Sequence, residues 1–151
     1  MLLQLLKLVK KWSKRKSPKT LKQLQKEGLS EFGVNYKEFY HKPKDAIKHL
    51  LKTKEGQVAG AFYRPDLGDI NLVWGDSNKG LKHILERRTS DKGRQAALKF
   101  IEELPELIQN GEAKYGETRV YLYSDKAQAV ISLDYKGNKD NKWIVTGYWK
   151  N

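Results

Sequence analysis

At 151 residues the chain has the size of one domain with room for a short appendage, long enough to bury a core without covalent staples. It contains no cysteine, which excludes disulfides, thiolate nucleophiles and Cys-ligated zinc. A net charge of +12 points to a polyanionic partner, but residues 1–60 hold 15 Lys/Arg against 5 Asp/Glu while residues 61–151 hold 15 against 13, so the excess belongs to the front of the chain.

Residues 1–26 carry nine Lys/Arg and no acid. Leu2, Leu5, Leu6, Val9 and Trp12 recur at helical spacing with Lys7, Lys10, Lys11 and Lys14 opposite them, the pattern of a basic amphipathic helix over 1–16. Its apolar run is too short to span a membrane, and no small-residue cleavage site follows, so neither a transmembrane segment nor a signal peptide is read. Three readings stay open for it: a helix packed on the domain or on a partner subunit, a membrane-surface helix, or a linker from a longer protein; the first and third are preferred. Ser17-Pro18 restarts a helix that Gly28 ends. Residues 1–35 are therefore taken as a basic helical arm or linker and 36–151 as the domain.

Gly33 to Tyr40 shows no clear period. Pro43 opens a helix over about 43–54, stopped by Gly56, with Ala46, Ile47, Leu50 and Leu51 as its apolar stripe. His49 falls on the shoulder of that stripe as a partly solvated residue, and His41 in the preceding loop; both read as ordinary. Gln57–Tyr63 and Asp69–Trp74 read as two strands of a hairpin turned by Pro65-Asp66-Leu67-Gly68. Asp76, Ser77 and Asn78 form a dense N-cap signal for a helix over about 79–88. Leu81, Ile84, Leu85 and the stem of Arg88 mark its core side; His83 falls opposite, near Glu86 and Arg87. A second helix runs from Gly93 to about Gln109, kinked or restarted at Pro105 and ended by Asn110-Gly111. Thr118–Ser124, Ala127–Tyr135 and Lys142–Trp149 are three strands joined by Ser124-Asp125 and Lys136-Gly137-Asn138, hence an antiparallel meander. The fold class is α+β.

Alternation along these strands separates two faces. Val120 and Leu122 oppose Arg119, Tyr121 and Tyr123. Ile131 and Leu133 oppose Ser132 and Asp134. Trp143, Val145 and Trp149 oppose Ile144, Thr146 and Tyr148. One face then collects Arg119, Tyr121, Ser132, Asp134, Thr146 and Tyr148, which is either a plain solvated sheet face or a surface for phosphate and stacked bases. No P-loop, dinucleotide fingerprint or metal-ligand spacing is present; Asp66, Asp69 and Asp76 are explained by turn and cap roles.

The segments QVAGAFYRPDLGDINLVWGD, GLKHILERR and ISLDYKGNKDNKWIVTGYW together resemble the phage–barnase–EndoU–colicin–RelE-like nucleases, in particular their barnase/colicin-type endoribonucleases. The resemblance covers roughly Tyr36 to Trp149 and leaves the arm outside. It implies a helix or two packed on a four-stranded antiparallel sheet, a metal-independent mechanism without cofactor, RNA as substrate, and an active site that includes His83 and Thr146. It also implies a toxin-type or phage-associated setting and a cognate immunity or antitoxin protein as partner; with no signal peptide read, action in a bacterial cytoplasm is the expectation. Asn71 departs from the pattern, where an Asp is expected.

The leading expectation is an endoribonuclease in which His83 is base or acid, Arg119 clamps the developing phosphorane charge, Thr146 bonds phosphate and Tyr148 positions substrate or assists proton transfer. Ser132, Tyr121 and Arg88 are expected to contact substrate, and no metal ligand is assigned. The rival is a non-catalytic nucleic-acid- or protein-binding module on the same fold.

Overall fold

The protein was analysed as a computed structural model that describes residues 32–135 and 141–150. The arm over 1–31 and the Lys136-Gly137-Asn138 turn lie outside the described residues. A 3₁₀ turn at Lys37–Phe39 leads into α1 (Pro43–Thr53), the hairpin β1 (Gln57–Arg64) and β2 (Gly68–Val73), then α2 (Gly80–Lys92), α3 (Arg94–Glu102) and α4 (Leu104–Asn110). β3 (Glu112–Tyr115), β4 (Arg119–Tyr123), β5 (Ala127–Ser132) and β6 (Trp143–Trp149) complete the chain. The class is α+β, as expected. No helix among the described residues is long and apolar enough to cross a membrane.

The hairpin and the meander are one sheet, ordered β1-β2-β6-β5-β4-β3. The join is a single parallel pairing of β2 with β6 at Asn71 and Trp143, where the Asn71 amide donates to Lys142 O at 2.8 Å. Every other neighbouring pair is antiparallel. The sheet is thus six-stranded and mixed, larger than the four antiparallel strands the resemblance implied. β3 was not foreseen: its four residues are short, mostly exposed and too polar to show a buried period.

Local chemistry accounts for the helix ends. Pro43 sits in the first turn of α1, where its missing N–H costs nothing. Lys54 takes the left-handed conformation that ends the helix, with its amide on Leu50 O. α2 runs a turn longer than expected, to Lys92, and Gly93 at φ +92° ends it. The expected second helix is two helices, divided at Glu103 just before Pro105. The core between helices and sheet holds Leu50, Ile70, Leu72, Leu81, Ile84, Ile101, Leu104, Ile108, Leu122, Ile131 and Ile144, all essentially inaccessible to solvent. His49 is not a solvated shoulder residue. Its ring packs edge-on to Tyr36 at 4.2 Å and against Phe39 at 4.8 Å, and its Nε2 is buried with no hydrogen-bond partner.

Two irregularities re-aim side chains. The β1–β2 register shifts between Val58 and Phe62, and two asparagine side chains satisfy the amides freed there. Asn35 Oδ1 accepts from Ala59 N and Asn71 Oδ1 from Gly60 N, each at 2.8 Å. An aspartate at 71 would offer the same acceptor, so the departure from the family pattern leaves this role intact. The second shift lies between Val130 and Ile131, opposite Val145. It breaks the period-2 reading of β6: Ile144 pairs with Ile131 in the core, while Trp143 pairs with Ser132 on the opposite face.

Asn71→Ala should leave the Gly60 amide without a partner and lower unfolding free energy by about 1–3 kcal/mol. Asn71→Asp should lose less because the acceptor stays. Urea unfolding of both variants checks this, and an Asn71→Ala midpoint equal to that of the parent would contradict the role.

Candidate functional site

The register of β4, β5 and β6 fixes which side chains share the face turned away from the helices. Arg119, Ser132 and Trp143 form one cross-strand row; Tyr121, Val130 and Thr146 form the next; Tyr123, Gln128 and Tyr148 form the third. Arg119 is exposed, Tyr121, Thr146 and Tyr148 are half-buried, and Val130 is buried between its neighbours. The face carries a cation, three hydroxyl-bearing rings and a threonine hydroxyl within three rows, a combination suited to phosphate oxygens and flat bases.

The individual groups are differently committed. Tyr148 OH accepts from Gln128 Nε2 at 2.7 Å, which orients the phenol and leaves its own proton to donate. Ser132 is 8 % exposed and its hydroxyl donates to Asp134 O at 2.6 Å, so it braces the end of β5. Trp143 lies on this face instead of the core side expected for it. Phe32 and Tyr135 cover its ring at 5.4 and 5.9 Å, and its Nε1 donates to Asp134 O.

Helix α2 starts where β2 stops. β2 ends two residues after its pairing with β6, whereas β6 continues for six. Arg88 on α2 reaches across to the Gly147 carbonyl, a donor the sheet itself does not supply, and its Nε holds Asp91 at 2.9 Å. With 7 % exposure Arg88 is thereby a bolt between helix and strand, and the structure does not bring it to the open sheet face.

The turn that starts α2 is built by Asp76. The helix N-cap is Lys79, without a side-chain cap, so the Asp76-Ser77-Asn78 signal marks a turn and not the cap. Asp76 Oδ1 accepts from Asn78 N at 2.8 Å and from Lys79 N at 3.1 Å. Gly75 at φ +73° closes it, since a Cβ there would fall 2.1 Å from Lys79 O. These amides, above all that of Asn78, hold the Asp76 carboxyl below its ordinary value of 3.8. The turn in turn presents Ser77 O to His83 Nδ1 at 2.8 Å. A carbonyl oxygen can only accept, so Nδ1 carries a proton, and in the neutral ring Nε2 keeps its lone pair. His83 is half-buried, off the Leu81–Ile84–Leu85 core stripe as its spacing requires. No hydrogen bond joins its ring to Thr146 or Tyr148 among the described residues.

A cleft of about 430 Å³ runs beside this turn, with Gly75, Asp76 and Lys79 on one wall and Phe32 and Tyr135 on another. It connects the turn that holds His83 to the aromatic cover of Trp143. A larger cavity, about 530 Å³, lies between α3–α4 and the ends of β3–β6 and touches none of the expected site residues. Among the described residues no group of three or more His, Cys, Asp or Glu could hold a metal ion. Two aspartates have partners that the turn reading did not supply: Asp66 binds Arg64 and Tyr115, and Asp69 binds His41 and Tyr40. These pairs join segments 28 and 49 residues apart, which local spacing does not reveal.

A family model described as phage-Barnase-EndoU-ColicinE5/D-RelE like nuclease1 matches residues 61–151, which hold β1 from Ala61 onward, all of α2 and the whole meander. No curated protein and no solved structure matches the chain.

The lowered Asp76 value sets a pH window. Its folded-state carboxyl ionises more readily than the unfolded one, so its stabilisation is complete above about pH 5 and is lost as pH falls through and below 3.8. Asp76→Asn should therefore show a constant melting-temperature deficit from pH 5 to 8 that shrinks below pH 4. A deficit that varies across pH 5–8 would show that Asp76 does not hold the turn in this way.

Proposed function

The chain belongs to the phage-Barnase-EndoU-ColicinE5/D-RelE like nucleases, and from that premise we propose that it is a metal-independent endoribonuclease. The observation that carries this reading is the three-row face on which Arg119, Tyr121, Thr146 and Tyr148 stand together. Such a face suits a single strand of RNA: rings stack on bases while a guanidinium and hydroxyls bond phosphate oxygens.

In the proposed reaction a base removes the ribose 2′-OH proton and that oxygen attacks the adjacent phosphorus. The 5′-oxygen leaves with a proton from an acid, and the product is a 2′,3′-cyclic phosphate. His83 serves as the base, because its Nδ1 proton is committed to Ser77 O and its Nε2 lone pair is open. Arg119 offers the positive charge that the phosphorane needs. Thr146 orients a phosphate oxygen, and Tyr148, held by Gln128, is placed to donate a proton or position the ribose. Arg88 is left out of this assignment because both its recorded bonds are structural. An imidazole base and a guanidinium clamp need no metal ion to complete the cycle, which supports metal independence.

His83→Ala should lower the cleavage rate by about 10²–10⁴-fold with little change in melting temperature, because the ring leaves no core cavity. Thr146→Ala should lose less, since Arg119 can hold the same phosphate. Ile84→Ala, one residue on but fully buried, should instead cost roughly 2–5 kcal/mol of stability. Cleavage of a fluorogenic oligoribonucleotide, read beside thermal melting, separates the three. Cleavage by the parent should also persist in EDTA and yield cyclic-phosphate ends; loss in chelator with rescue by magnesium would sink the mechanism. A parent that binds RNA without cutting it would favour the non-catalytic binding module.

A further inference from the structure

A second cluster lies on the same sheet face, at the far end of β2 from the Asp76 turn. Asp69 points outward from β2 between Gly68 and the buried Ile70. Its Oδ1 accepts from His41 Nε2 at 2.7 Å and its Oδ2 from Tyr40 OH at 2.7 Å, so both carboxylate oxygens are engaged. The Tyr40 and His41 rings stack at 3.8 Å and 20°, and Tyr63, paired with Asp69 across the hairpin, lies 5.4 Å from His41. The hydrogen bond to Asp69 raises the Tyr40 hydroxyl above its ordinary value of 10.0, so it stays a donor.

The backbone is bent to make this cluster. His41 adopts φ +56°, a conformation rare for a side-chain-bearing residue, and its amide is fastened to Gly60 O at 2.9 Å. Gly60 is itself at φ +62°, and a Cβ there would fall 2.4 Å from the Tyr40 ring. Strain at His41 and a bare glycine beneath Tyr40 hold two rings on the surface, yet Tyr40 and Tyr63 remain 50 % and 51 % exposed. The arrangement orders these rings and leaves them open to solvent.

We propose that Tyr40, His41 and Tyr63, locked by Asp69, form a stacking subsite for one unpaired base of the RNA. It rests on the ribonuclease reading for its ligand. The row through Asn71, Trp143, Ser132 and Arg119 crosses three strand spacings; Asp69 lies two residues from Asn71 along β2 and Tyr63 one strand further out, so Tyr63 stands about 20 Å from Arg119 over the same face. A short single strand that lays a phosphate on Arg119 spans that distance and brings a base a few nucleotides along to Tyr63. Tyr40 and His41 precede the segment that matches the family model.

The test uses the full chain, a cleavable oligoribonucleotide and its 2′-O-methyl analogue, which 2′-OH attack cannot cut. Tyr63→Ala should raise KM, and weaken binding of the analogue, by roughly 5- to 150-fold, the loss expected for one base–aromatic stack, with kcat kept. Tyr63→Trp should restore both. His41→Asn, which tolerates the backbone conformation but lacks the ring, should weaken binding in the same direction. Unchanged KM and binding in Tyr63→Ala, or a fall in kcat with KM kept, would overturn the subsite. Competition by free adenosine monophosphate as tight as the oligonucleotide would also overturn it as a subsite for a chain. If the parent binds the analogue with this Tyr63 dependence but cuts no RNA, the subsite stands and the ribonuclease reading falls.

Discussion

The architecture hangs on Asn71. Its backbone amide bonds Lys142 O and, among the described residues, makes the one parallel link between hairpin and meander. Its side chain closes the irregular stretch of β1 by accepting from Gly60. Without the first bond there would be two small sheets with open edges, each a poor platform by itself. The second keeps Gly60 where the Tyr40 ring needs it. One residue thus joins the two sheet halves and anchors the far corner of the proposed RNA face.

From that join follows the position of α2. A parallel pairing this brief leaves most of β6 without a neighbour on one side, and the backbone groups exposed there need partners. Arg88 supplies one at Gly147. Two of the basic side chains on the helix have opposite fates. Arg88 is spent on holding the helix to the sheet, while His83, five residues earlier and off the core stripe, has one nitrogen held by Ser77 O and the other open. The same rigid element therefore fixes the fold and presents a group with the right chemistry for proton transfer.

The structural unit extends beyond the segment that matches the nuclease family. Phe32 packs on Trp143 and Tyr135, Asn35 satisfies Ala59 N, and Tyr40 and His41 engage Asp69. All four precede residue 61. Phe32, Tyr40 and His41 set rings on the open face, while α1, in the same segment, puts Ala46, Ile47 and Leu50 into the core.

Read by itself, the sequence determined the elements whose cause is local. Pro43 and Gly56 bracket α1, the Pro65–Gly68 turn closes the hairpin, Pro105 separates α3 from α4, and the alternation in β4 sorts Val120 and Leu122 from Arg119 and Tyr121. It also placed His83 off the core stripe and carried the resemblance to the nuclease family. Only the tertiary structure decided what depends on partners far along the chain. The bulge at Val145 moved Trp143 to the open face and Ile144 to the core, because a register shift is a property of two strands and not of either. The parallel β2–β6 link, the burial of Arg88 against Gly147 and the Asp69–His41–Tyr40 cluster each join residues at least 28 apart. Periodicity reports which way a side chain points along its own element; it carries no information about which distant group it will meet there.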